Sequence, residues 1–197
     1  MKSVRISTGN DRERGHQRRL SALKSEPHAV RKRMNDEELL EFLTEVAGRH
    51  PNRDELLFVC IGTDCSTGDA FGPLIGSMLE DQGWPHVIGT MQSPCDANRL
   101  AFLENEMLPG KIVIAIDACL GKPLSVGGYL AAGGPIRPAQ AVGAIWPQVG
   151  NYSIAGVVNM IGPKPYMTLQ TTSLHTVMQM AAKVAEQIGK AWGVRDN

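Results

Sequence analysis

Leu56 to Pro73 constrains this chain more than any other stretch. Leu56–Ile61 is a short, unbroken apolar run, the pattern of a strand buried on both faces. It breaks at Gly62 into a polar loop holding two carboxylates, Asp64 and Asp69. A helix is expected from about residue 70 to 82, with Pro73 in its first turn and Gly83 just past its end. In open α/β sheets, a strand, a glycine-rich turn and a helix in series mark the place for binding and chemistry. Many such loops cradle phosphate with backbone amides and a lysine. Here Asp69 follows Gly68 where the lysine belongs, and the spacing is not GxGxxG. Two acids would repel phosphate, so the loop calls for chemistry that uses carboxylates.

The second half of the candidate site lies some fifty residues on. Lys111–Asp117 is the clearest strand in the sequence, and its apolar core, Ile112–Ile116, closes on an aspartate. Between the two strands, His86–Thr90 reads as another strand. Ser93 or Asp96 can cap a helix that runs to about Met107 and ends at Pro109-Gly110. This gives a parallel βαβαβ core with right-handed crossovers. The first and third of these strands should be neighbours, so that Asp69 and Asp117 face each other across a crevice at their carboxyl ends. A carboxylate ending so apolar a run is costly to bury without a partner. Two close carboxyls titrate as a coupled pair, one holding a proton while the other stays ionised. Such a pair can activate water, can hold a divalent metal through oxygen, or can simply cap a helix and a turn.

The remaining chain is read against a total of 197 residues, enough for one domain with a sizeable core. Aromatic residues make up only 5%, so that core is aliphatic. The zero formal charge hides a division. Residues 1–35 carry ten Lys/Arg and three Asp/Glu, whereas the remainder carries ten and 17. Residues 1–35 are therefore expected to form a basic, disordered arm, able at most to touch nucleic acid. Residues 36–197 are expected to form a single α/β domain. It opens with a helix over Asp36–Gly48, capped by Asn35, with an apolar stripe of Leu39, Leu40, Phe42, Leu43 and Val46. Further strands are expected at Val126–Ala131 and Tyr152–Val158, with a Gly- and Pro-rich loop over 133–150 between them. One long amphipathic helix should span Thr168–Trp192, with Met178 and Met180 filling the core. Cys60, Cys65, Cys95 and Cys119 lack metal-ligand spacing and read as reduced thiols of a cytoplasmic protein. No apolar run is long enough to span a membrane. Secondary candidates near the acids are Asp64, Gly68 and Cys119. Gly156, Asn159 and Gly162 can supply another wall, and Gln170 with the two threonines after it can line the crevice or cap the helix. His175 reads as a packed or surface histidine.

Three motifs carry a resemblance. Cys60–Pro73, Ile114–Gly121 and Leu169–Leu174 resemble the sporulation-associated YyaC-like family over about residues 55–190. That family is similar to the spore germination proteases and, more distantly, to the hydrogenase maturation proteases. The resemblance implies a three-layer α/β/α fold with a mostly parallel central sheet, of the phosphorylase/hydrolase-like kind. It maps the proposed catalytic pair onto Asp69 and Asp117. Asp64, Gly68, Cys119, Asn159 and Gln170, picked out by their places near these acids rather than by the resemblance, are the candidate substrate contacts. No histidine stands in a matching nickel-recognition motif. The expectation is an endopeptidase acting on protein substrates, such as small acid-soluble spore proteins, in the cytoplasm or forespore. It has no resident cofactor, although the carboxylates leave a divalent metal open. The alternative is a non-catalytic regulatory or binding protein of sporulation on the same scaffold.

Overall fold

The computed structural model divides between Val30 and Arg31, and the second unit is the one described. The described residues are 31–96, 98–100, 110–138 and 148–194. The arm up to residue 30, the continuation of the helix expected through Met107, and residues 139–147 of the Gly- and Pro-rich loop lie outside them. In chain order the elements are β1 (Lys32–Met34), α1 (Asp36–Arg49), β2 (Leu56–Cys60), α2 (Phe71–Asp81), β3 (Val87–Ile88), β4 (Ile112–Gly121), β5 (Tyr129–Gly133), β6 (Tyr152–Met160), α3 (Pro165–Gln170) and α4 (Leu174–Ala191).

The six strands form one sheet in the order β1-β5-β6-β4-β2-β3. Strands β6, β4, β2 and β3 run parallel, and β5 and β1 add antiparallel at one edge. The sheet is therefore mostly parallel, as the βαβαβ pattern requires. Every residue of β2 is buried, and its alternation feeds two separate cores. Leu56, Phe58 and Cys60 face α1, α2 and α4, meeting Leu43, Ile75 and Val184. Leu57, Val59 and Ile61 face the other side, where Cys95, Leu100, Ile136 and Val149 cover them. Fully burying each such aliphatic side chain contributes roughly 1.5–3 kcal/mol. Among the described residues the second outer layer is thus represented by short pieces, including the helical start at 98–100. Asp96 caps that start through a 2.9 Å bond from the Arg99 amide.

Helix α1 begins as its sequence predicts. Asn35 Oδ1 accepts from the Glu38 amide at 2.9 Å, and Glu38 Oε2 accepts from the Asn35 amide at 3.0 Å. This reciprocal box satisfies two otherwise orphan donors. Asn35→Ala is expected to cost about 1 kcal/mol, read as a lower urea midpoint with an unchanged slope.

Four details differ from the sequence pattern. Lys32–Met34, assigned to the arm, is an edge strand on β5, with Met34 buried opposite Tyr129. Three residues between charged neighbours are too few to show a period. The expected Val126–Ala131 strand sits later, at Tyr129–Gly133, because Gly127 takes a positive φ of 82° and turns the chain first. Strand β4 does not stop at Asp117. It continues to Gly121 along β6, with an irregularity after Cys119. The long final helix is two helices, because Ser173 leaves the helical conformation to cap α4. Both methionines lie within α4, but two residues apart they fall on different helix faces, leaving Met180 buried and Met178 exposed. Among the described residues no helix is long and apolar enough to cross a membrane.

Candidate active site

Parallel pairing of β2 with β4 brings the two acidic motifs together. Cys60 lies beside Ile116, and the Ile61 amide donates to the Ile116 carbonyl at 2.7 Å. The loop that leaves β2 therefore starts next to Asp117. Gly62 turns it with a φ of +148°. Its amide donates to the Cys95 carbonyl, and the Thr63 amide donates to the Asp69 carbonyl at 3.2 Å. The Ala70 amide returns to the Ser66 carbonyl and closes the loop.

Each further glycine of the motif meets a close neighbour. The Gly68 amide donates to the Leu169 carbonyl at 2.8 Å, and a Cβ there would lie 2.9 Å from that oxygen. A Cβ on Gly72 would lie 2.1 Å from the Ile61 carbonyl oxygen. Phe71 is fully buried and packs on Gly156 of β6, where a Cβ would come within 2.5 Å of the ring. The Gly-Asp-Ala-Phe-Gly-Pro run thus wedges the start of α2 between β2, β6 and α3. Asp69 is held on a rigid frame.

Asp69 and Asp117 line one cleft of about 380 Å³ at the carboxyl ends of the strands. Cys119 joins them on the β4 side. Leu169, Pro165 and Ile161 form part of an apolar wall. Arg31 and Arg137 supply two cations that the sequence reading missed. Arg31 lay hidden in the basic arm, and its guanidinium donates to the Pro135 carbonyl at 3.4 Å. Arg137 did leave a signal: it is the sole charged residue between Lys122 and Lys164.

The electrostatics favour protonated carboxyls. Burial pushes the Asp117 carboxyl up to about 8, and the negative charge of Asp69 pushes the same way. The Ala118 amide, 2.8 Å from Oδ1, and the Arg31 cation oppose the shift. Although its side chain is enclosed by protein, the residue keeps partial access along the cleft. Asp69 is also raised by burial, against the Ser66 hydroxyl, which favours its ionised form. Ser66 Oγ is buried and completes no hydrogen bond of full geometry, so it lies beside the carboxylate without being committed elsewhere. Burial, reinforced by Asp117, pushes the Cys119 thiol up to about 12, so it is not a thiolate at neutral pH.

The other candidates fall around the cleft rather than on its lining. Asp64 is exposed and accepts from the Cys65 thiol. Gly68 is covered by Leu169. Asn159 donates to the Thr172 hydroxyl at 3.2 Å and takes the Met160 amide. Gln170 and His175 are exposed. Among the described residues no three His, Cys, Asp or Glu side chains converge as a metal site.

Comparison with known proteins agrees with the motifs. Over 136 residues the chain is 41% identical to the "Uncharacterized protein YyaC" of Bacillus subtilis, a match covering 66% of each chain. A [NiFe] hydrogenase maturation protease, HybD from Thermococcus kodakarensis, matches in structure with a TM-score of 0.46 and 16% identity. That match covers 69% of this chain and 97% of the other. A family model described as "Protein of unknown function (DUF1256)" matches residues 28–187, a span that takes in β1, both acidic motifs and most of α4. The chain belongs to this DUF1256 family.

Proposed function

We propose that this protein hydrolyses peptide bonds with Asp69 and Asp117 as a general base and general acid. The observation that carries this reading is that both carboxyls, Asp117 on β4 and Asp69 in the loop after the adjacent parallel strand β2, line one cleft. Near neutral pH, Asp117 holds its proton. Asp69 carries the smaller shift and is the partner that ionises first. Asp69 takes a proton from water as the oxygen adds to the scissile carbonyl carbon. Asp117 gives its proton to the carbonyl oxygen. Collapse of the tetrahedral intermediate breaks the C–N bond, and the amine leaves with a proton returned through the pair. Such positioned proton transfer is worth about 10²–10⁴ in rate.

The assignment is tested with wild type, Asp69→Asn and Asp117→Asn against an unfolded protein and against small acid-soluble spore proteins. New amino termini, read by mass spectrometry, are expected from the wild type alone. Equal cleavage by all three would remove the dyad. A folded chain that cuts nothing would instead leave a binding protein on this scaffold. For an active chain, kcat/KM should rise with pH as Asp69 ionises, above the ordinary carboxylate range. It should fall again as pH passes about 8 and Asp117 loses its proton. A profile flat across both limbs would contradict the roles given to the two acids.

A further inference from the structure

From Asp117 to Glu186 the sequence contains no intervening Asp or Glu, although the rest of the body is acidic. This acid-free span supplies β5, β6, α3 and the turns that surround the cleft mouth. Apolar side chains stand out of the same region. Leu124 is 87% exposed, Ile161 65%, Tyr166 53% and Met167 52%. Strand pairing sets two of the three segments side by side: Met160 lies opposite Gly121, and the Ile161 amide donates to the Gly121 carbonyl. Ile161 and Pro165 also line the cleft, so the apolar rim is continuous with the site of the two aspartates. Exposed Lys122 and Lys164 flank the rim, and Arg33 reaches it by donating to the Leu124 carbonyl.

We propose that this rim is a docking surface for an acidic polypeptide segment bearing apolar side chains, captured outside the cleft before its backbone enters. Monomeric proteins rarely leave adjoining apolar residues exposed unless something covers them. Tyr, Met and Arg are the residue types that interfaces enrich. The occupant follows from charge. Lys122 and Lys164, in a stretch of sequence without an acid, attract an anionic partner and repel basic ones. A polypeptide fits better than a phosphate-rich surface, because the two aspartates lie at the end of the same rim. The proposal rests on the peptidase reading only for what happens to the docked chain.

The test uses the full-length Asp117→Asn protein, so that binding is read without cleavage. The probe is a fluorescein-labelled peptide of glutamates interspersed with Leu and Ile, followed by anisotropy. Its control carries lysine in place of glutamate. The Glu peptide is expected to bind and the Lys peptide not to. Lys122→Glu with Lys164→Glu should weaken binding about tenfold, equivalent to about 1.4 kcal/mol. Both lysines are exposed, so the fold is retained, and the basic arm is unchanged in the comparison. Tyr166→Ser with Met167→Ser should weaken it even at high salt, where charge attraction is screened. Four outcomes would overturn the proposal: equal binding of both peptides, affinity insensitive to the lysine reversals, a concentration-dependent dimer that buries the rim, or capture of phosphatidylglycerol vesicles in place of the peptide. Binding with no cleavage by the wild type would sink the peptidase reading alone and leave the docking surface standing.

Discussion

At pH 8, Asp117→Asn is expected to melt above the wild type while losing peptide hydrolysis. The direction follows from linkage. The unfolded carboxyl ionises near its ordinary 3.8, whereas the folded one holds its proton to about 8. Between those values the folded state binds more protons than the unfolded state, so wild-type stability falls as pH rises through that window. Asparagine keeps the shape and an oxygen for the Ala118 amide, but it cannot ionise. Its advantage should be absent below about pH 4 and should grow towards pH 8. With desolvation as the main cause, a gain of about 2 kcal/mol or more is expected, about 4 °C or more in Tm for a chain of this size. Activity should fall by about 10³-fold or more, the usual loss when one member of an acid–base unit is removed. Thermal melts across pH, paired with a peptide-release assay, check both halves. An Asn variant less stable than wild type at every pH would show that Asp117 is held charged by a partner, not buried at a cost for chemistry.

Gly62→Ala is expected to be among the most damaging small substitutions at the described residues. Gly62 sits at φ +148°, where an L side chain is strained, and a Cβ would fall 1.9 Å from the Asp69 carbonyl oxygen. That oxygen belongs to backbone already engaged by the Thr63 amide, so it cannot simply swing away. The Pro73 ring, 2.8 Å from the same point, blocks the other escape. Strain and overpacking together should cost about 3–5 kcal/mol. Because the clash is with the backbone of Asp69 itself, activity should fall further than stability predicts. Comparing kcat/KM with the fraction folded separates the two losses. Wild-type activity per folded molecule would show that the Asp69 loop tolerates the shift.

Much of this was legible in local pattern. The unbroken apolar runs of β2 and β4 mark strands buried on both faces, because parallel central strands have no polar side to show. The Asn35 box announces α1 by hydrogen bonding within four residues. Asp117 stood out because an acid closing a long apolar run is costly to bury without a partner, and Asp69 because it stands where a phosphate loop carries lysine. What could not be read depended on distant contacts. Lys32–Met34 is a strand only because β5 offers it an edge. Ser173 breaks the final helix although apolar residues recur at helical spacing on both sides of it. Arg31 and Arg137 come together at the cleft through a hydrogen bond between segments about a hundred residues apart.

By itself the sequence determined the two central strands, the loop between strand and helix, and the two acids, one in that loop and one closing the second apolar run. These are consequences of periodicity, glycine placement and charge, which act over a few residues. Only the tertiary structure decided that Cys119 joins the two acids while Asp64 and Gln170 face solvent. It also decided that β4 runs on past Asp117 and that two arginines join the acids in lining the cleft. The reason is that burial and field are sums over neighbours. Asp117 holds its proton because of what surrounds it, and no stretch of sequence contains that surrounding.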